Sequence, residues 1–215
     1  DRLVAPFVSG IWAGDAHALA VRSAFPLLAR WEREHGSLLR GALASRPPRD
    51  PSRSPLPKGL LSFRDGLETL PLALAARLGA RFSHGTPVRR LCPDGGRWRV
   101  ETEKESLVAD RVVVAAPAAE AARLLADVDP QAARALSEMP QPPLTVLHLA
   151  WPAAAFPAPL LGFGHLVVPT PKRRLLGAVW SSCLFPGRAP QGEVLITVFA
   201  GGSRDPGAAA LTDAE

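Results

Sequence analysis

Thiols are scarce in this chain: 215 residues carry two cysteines, Cys92 and Cys183. They stand far apart, with no second thiol or histidine at ligand spacing, which excludes a disulfide framework and a zinc site and points to a reducing cytoplasm. Long apolar runs are missing too. No stretch approaches the roughly 18 uninterrupted apolar residues of a spanning helix, and the basic, apolar, small-residue order of a secretion signal is absent. Catalytic constellations are lacking as well. There is no Gly-x-Ser-x-Gly elbow, and the five histidines, at 17, 35, 84, 148 and 165, sit in five unrelated contexts. His148 lies in an apolar strand and reads as a satisfied core or interface residue. Asp and Glu gather at helix starts, turns and exposed faces, so neither a two-carboxylate site nor a metal site is indicated. No catalytic side chain is expected.

What is present is globular in composition, 47% hydrophobic and 21% charged, enough for one sizeable core or parts of two. The net charge of +5 comes mainly from arginine. It suits an anionic partner such as a phosphate, a carboxylated substrate or an acidic lipid surface; GC-rich codon usage, which raises Arg, Ala and Pro together, is the simpler account and is preferred. Residue 1 is Asp, and the last stretch, from Asp205-Pro206 onward, reads as the first turns of a helix without a stop signal. Both features predict an interior stretch of a larger protein.

Residues 1 to 45 read as helical. Asp15 is placed to cap a helix starting at Ala16, Pro26 to open another, and Gly36 to end it. Phe7, Ile11, Trp12, Phe25 and Trp31 supply either core or a surface that dips into lipid headgroups. Residues 45–59, rich in Pro, Arg and Ser, predict a mobile loop. Its basic residues lack interleaved aromatics and any recognition motif, so nucleic acid is not expected as a partner. Asp65 and Glu68 have capping-box spacing ahead of a helix with Leu70, Leu74 and Leu78 on one face, Pro71 disturbing its first turn and Gly79 ending it.

The period then shifts from helical to two. Val88 to Leu91 and Arg97 to Glu101 flank the turn Pro93-Asp94-Gly95-Gly96, and Ser106 to Ala109 adds a short strand. Asp110 to Pro117 is apolar on both faces, like a strand inside a parallel sheet, and a helix follows from Ala118 to Ala126. Strand, tight turn and helix can offer a helix N-terminus to a dinucleotide. The turn Ala115-Ala116-Pro117 lacks the glycines for a close pyrophosphate, however, and a plain crossover explains it equally. Four more strands, at 144–149, 163–168, 175–182 and 194–200, suggest a largely antiparallel sheet under a helix near 132–139. With the chain passing between two domains, a ligand site is expected at their interface. Its distinctive residues are glycine beside phenylalanine: Gly162-Phe163-Gly164-His165-Leu166, Phe185-Pro186-Gly187-Arg188 and Phe199-Ala200-Gly201-Gly202. Such a wall suits a large, flat, apolar molecule; the same glycines also serve plain bulges and turns.

These three segments, in order with Gly10-Ile11-Trp12-Ala13-Gly14-Asp15, Glu32 to Gly41, Asp65 to Pro71, Pro87-Val88 and Ala109 to Val113, resemble the oxygen-dependent, FAD-containing protoporphyrinogen oxidases of the flavin amine oxidase superfamily. The resemblance is collinear over almost the whole chain. It implies an α/β (α+β mixed) fold, the interior part of a FAD/NAD(P)-binding flavoprotein. Residues 1–60 would form a helical membrane-facing part that includes the loop 45–59, residues 61–118 a portion of the FAD-binding domain, and residues 119–215 a truncated, mixed-sheet substrate domain.

The implied reaction is the six-electron oxidation of protoporphyrinogen IX to protoporphyrin IX, with three molecules of oxygen reduced to peroxide. FAD carries the chemistry while the protein positions the macrocycle. Phe163, Gly164, Leu166 and Phe199 correspond to residues lining the family's tetrapyrrole pocket, and Val88 and Ala116 to positions in contact with FAD. The glycine-rich loop for the pyrophosphate, the second flavin contact region and the arginine for a substrate propionate are expected outside this stretch, so residues 1–215 alone are expected to bind no FAD and to show no oxidase activity. A cytoplasmic location, peripheral on the membrane, and a homodimer also follow from the resemblance. Coproporphyrinogen as substrate, an amine oxidase-like or carotenoid desaturase-like flavoprotein, and a non-catalytic protein that has lost flavin remain as alternatives.

Overall fold

The structure, a computed structural model, describes residues 4–45, 60–170 and 173–212. The expected mobile loop falls, from residue 46 to 59, outside them. Two compact units divide the chain: residues 1–64 with 142–215, and residues 65–141. The boundary expected at 118/119 therefore lies inside the second unit, and the N-terminal helices belong to the same unit as the C-terminal strands.

The second unit is built on a hairpin. Strands β1 (Val88–Asp94) and β2 (Arg97–Thr102) pair antiparallel across Gly95-Gly96, and β3 (Ser106–Ala109) adds to β2. A register shift between Val88 and Arg90 marks a bulge at the start of β1. One face of the sheet buries Leu91, 3% exposed and opposite Val100.

Helix α6 (Ala118–Leu125), which follows Pro117, and α7 (Pro130–Ser137) pack on each other through small residues: Ala121 and Ala122 are buried on α6 and Ala133 on α7. Asp129 caps α7 through Ala132 N–H. Helix α7 is thus the partner of α6, where sequence had placed it beside the C-terminal sheet. The segment 110–117, expected as a parallel strand, enters no ladder. Its apolar pattern is strand-like, but a strand also needs neighbours to take its N–H and C=O groups, and Val113 stands 88% exposed.

A further helix of this unit, α5 (Thr69–Leu78), begins late enough that Pro71 falls in its first turn, where no N–H is needed. Glu68 is its N-cap but makes no side-chain cap bond, so the expected capping box does not form.

In the first unit, α1 (Val4–Trp12) is followed by a single turn at Asp15, whose side chain accepts His17 N–H. The helix expected from Ala16 does not continue beyond that turn. A short α2 (Val21–Ala24) precedes α3 (Pro26–His35), which opens on proline and ends at left-handed Gly36 as expected. Helix α4 (Leu38–Ala44) is capped by Ser37. Trp31 of α3 seats against Gly41 of α4 and donates its indole N–H to Ser45 Oγ at 2.6 Å, which joins the two helices.

Strands β4 (Leu144–Pro152), β5 (Gly164–Leu166), β6 (Leu175–Val179) and β7 (Glu193–Gly201) form one antiparallel sheet in the order β4-β7-β6-β5. The run expected as one strand over 175–182 is interrupted by α8 (Ser181–Leu184). Pro206–Ala210 is a short 3-10 helix that ends at extended Leu211, and not the opening of a longer α-helix. Helix α1 lies on this sheet, against β5 and β6. Both sheets are antiparallel, giving a mixed α and β architecture.

Candidate functional site

The register of the four-stranded sheet decides which side chains share a face. Leu166 pairs with Gly177, Gly164 with Val179, and Phe199 with Gly177, so Gly164, Leu166, Gly177, Val179 and Phe199 look out on one side. Helix α1 covers that side. Between them lies a cavity of about 410 Å³, walled by Phe7, Gly10 and Ile11 from α1, by residues 163–166 and 176–179, and by Phe199. The sequence-selected residues Phe163, Gly164, Leu166 and Phe199 all meet here. Every lining residue belongs to the first unit, so the cavity forms within that unit.

Gly164 shows why these positions hold glycine. Its φ is +149°, and a Cβ there would collide with the Ala178 carbonyl on β6. Only a bare backbone lets β5 approach β6 so closely. Helix α1 approaches as closely from the other side: a Cβ on Gly10 would run into Leu166. Phe163 remains 56% exposed, its carbonyl taking Trp180 N–H at 2.9 Å. His165 is tilted against the Trp180 ring, 6.2 Å between centroids. Among the described residues it is the sole titratable side chain lining the cavity. The cavity can therefore hold and orient an apolar ring system, but offers no acid–base pair to transform it.

This face also carries a chain of three polar groups. His148 Nδ1 lies 3.0 Å from Thr197 Oγ1, which lies 2.7 Å from Ser181 Oγ. Thr197 is buried and both its neighbours satisfy it, so the chain holds β4 and α8 to β7. His148 is thus a satisfied pairing residue, as its apolar context suggested.

The other two selected residues lie elsewhere. Val88 and Ala116 line a second cavity of about 390 Å³ in the second unit, together with Pro87, Leu91, Val100, Val112, Val113, Val114 and Leu124. Arg123 at its rim spends three of its five N–H donors within the protein: it donates to the Arg89 carbonyl at 3.0 Å, to the Val88 carbonyl at 3.1 Å and to Glu120 at 3.0 Å. It fixes the bulged start of β1 to α6. The aliphatic walls fit a flat ring portion of a dinucleotide, not its pyrophosphate.

Sequence reasoning missed the α1 wall. Phe7 and Ile11, one turn apart, were visible as an apolar stripe, but nothing local says which sheet the stripe covers. The 176–179 segment was read only as strand. Among the described residues no cluster of three His, Cys, Asp or Glu could hold a metal ion.

Comparison with known proteins gives consistent results. The family model described as flavin containing amine oxidoreductase matches residues 1–215. "Protoporphyrinogen oxidase 1, chloroplastic" of Spinacia oleracea is 36% identical over 228 residues, covering 96% of this chain and 40% of the relative. "Protoporphyrinogen oxidase" of Homo sapiens is 37% identical over 212 residues, covering 90% and 43% respectively. The chain thus spans about two fifths of the length of these curated relatives. A crystal structure from Exiguobacterium sp. 255-15 superposes with a TM-score of 0.75 at 21% identity, over 99% of this chain and 44% of that one, and shares its fold.

Proposed function

The chain belongs to the flavin containing amine oxidoreductase family, and from that premise we propose that the protein is an FAD-dependent oxidase of porphyrinogens, converting protoporphyrinogen IX to protoporphyrin IX with oxygen as acceptor. The observation that carries this reading is the cavity between α1 and the sheet, where aromatic and aliphatic side chains face each other without an acid–base pair. Six-electron oxidation of a macrocycle needs a site that holds a flat substrate and leaves the redox step to a cofactor. When bound, FAD would supply the redox chemistry at a substrate carbon, with oxygen as the final acceptor.

The chain's own residues position the macrocycle. Phe163 and Phe199 offer ring faces, Leu166 and Ile11 aliphatic contact, and the bare backbone at Gly164 a close approach. Each 100 Å² of apolar ring surface removed from water contributes about 2.5 kcal/mol, so this wall can supply much of the binding without a charged contact. Val88 and Ala116 are the residues of this chain that would hold a flat part of FAD, in the aliphatic cavity of the second unit. The test is direct: the full-length protein is given protoporphyrinogen in air and porphyrin fluorescence is followed. Absence of turnover in a flavin-loaded preparation contradicts the reading.

Peripheral attachment to the cytoplasmic membrane is part of the same proposal. It is supported by α4, where Leu39 and Leu43, one turn apart, are 78% and 68% exposed beside Arg40. Among the described residues no helix is long and apolar enough to cross a membrane. Retention in the supernatant with anionic vesicles at low salt would remove this element. The homodimer rests on the family resemblance and is tested by light scattering.

A further inference from the structure

A groove of about 460 Å³ lies on the N-terminal helices of the first unit, lined by Arg22, Pro26, Leu27, Ala29, Arg30 and Arg33. It shares no residue with the apolar cavity under α1. Helices α2 and α3 build it, joined through one residue: Phe25 N–H donates to the Val21 carbonyl at 2.8 Å, and the Phe25 carbonyl accepts Ala29 N–H at 3.1 Å. Pro26 opens α3 where no N–H donor is needed. On α3 the residues 26, 29, 30 and 33 recur at helical spacing and so share one face. Arg22 of α2 closes the groove beside Pro26.

No carboxylate lines this groove. Among the described residues Arg22 and Arg30 make no ion pair or side-chain hydrogen bond. Arg33 pairs with Glu34 at 3.5 Å, the two side chains being 70% and 48% exposed. A long, exposed pair of that kind contributes little and exchanges readily. Three guanidiniums therefore line one concave site without a fixed counter-charge, at the cost of their mutual repulsion, which an oxyanion relieves. Their forks approach from three positions. That number suits the three outward oxygens of a phosphate ester better than the two of a carboxylate. Leu27, 45% exposed, adds apolar surface for the carbons next to the phosphate.

We propose that the Arg22–Arg30–Arg33 groove is a phosphate-binding site, taking the phosphate of an ester whose source is either a lipid headgroup or a soluble metabolite. The site stands independently of the porphyrinogen reading, since no residue of the macrocycle cavity takes part in it.

The full-length protein in detergent is titrated calorimetrically with glycerol 3-phosphate and with malonate, and is sedimented with phosphatidylcholine vesicles with and without phosphatidylglycerol. A variant carrying Arg22→Gln, Arg30→Gln and Arg33→Gln is compared with one carrying Arg64→Gln, Arg77→Gln and Arg111→Gln, which lowers the net charge equally away from the groove. The groove variant is expected to lose about tenfold or more in phosphate binding, the scale of several partly exposed charge-assisted hydrogen bonds, and the control to stay within about twofold. Lysine at the three groove positions, which keeps charge but not the forks, is expected to fall between them. Binding to phosphatidylglycerol vesicles without binding of glycerol 3-phosphate assigns the site to a lipid headgroup; the converse assigns it to a soluble ester. Equal losses in the two glutamine variants, no loss in the groove variant, malonate bound as tightly as glycerol 3-phosphate, or a wild type that binds neither phosphate probe would each overturn the site. Flavin content and porphyrinogen kcat and KM in detergent are expected to stay within about twofold in every variant, so a failure of the oxidase reading leaves the phosphate result separately readable.

Discussion

Gly202 lies directly beneath Ala13: a Cβ on Gly202 would collide with the Ala13 carbonyl, and that same carbonyl accepts Ser203 N–H at 2.7 Å. Ala13 itself has φ +49°, the only positive φ outside glycine among the described residues. This contact joins the end of α1 to the end of β7 across almost the whole length of the chain. It sets the distance between Phe7 and Ile11 on one wall of the cavity and Phe199 on the other.

Gly202→Val is expected to destabilise the protein by about 2–3 kcal/mol, since it combines an unfavourable φ of +81° with a backbone collision. Urea denaturation of the full-length protein measures it. A change below about 0.5 kcal/mol would mean that α1 is not held in this way.

Gly164→Ala is expected to separate β5 from β6, because the added methyl meets the Ala178 carbonyl. Porphyrin affinity should fall about tenfold or more, with a drop in stability of about 2 kcal/mol. Hydrogen exchange at Leu166, Gly177 and Val179 locates the loss. Unchanged protection there contradicts the prediction.

Thr197→Val keeps the shape of the side chain but removes the hydroxyl shared by His148 and Ser181. An expected cost of about 1–2 kcal/mol follows from the two unpaired partners, moderated because His148 is exposed to water. Thermal unfolding reads it, and porphyrinogen KM should not move, since Thr197 does not line the cavity.

Arg123→Met removes the donors that hold the Val88 and Arg89 carbonyls to α6. Flavin content after dialysis should fall, with KM for porphyrinogen unchanged at saturating FAD. Full flavin retention would show that the Val88–Ala116 cavity needs no such tie.

Local chemistry made much of this legible. The Val88–Thr102 hairpin was readable from its period of two around Asp94-Gly95-Gly96, and α3 from Pro26 and Gly36. The Gly-Phe clusters were readable because glycine beside an aromatic in a strand implies close approach. The remainder depended on distant partners. Nothing within residues 4–12 states that α1 covers β5 and β6, some 150 residues on. The segment 110–117 has the composition of a buried strand, yet its ladder requires neighbours that its own residues cannot specify. Asp15 offered a sound cap, but the residues after it sustain only one turn.

The most direct test of the central claim, that the space between α1 and the sheet is the porphyrinogen site, is the KM of a Leu166→Trp variant set beside Leu38→Trp. Leu166 lines that cavity, whereas Leu38 lines a separate apolar cavity of about 510 Å³ among the N-terminal helices. The account predicts that Leu166→Trp raises the porphyrinogen KM by about tenfold or more at unchanged flavin content, while Leu38→Trp leaves it within about twofold. A Leu166→Trp enzyme that is folded, flavin-loaded and kinetically identical to wild type would contradict it.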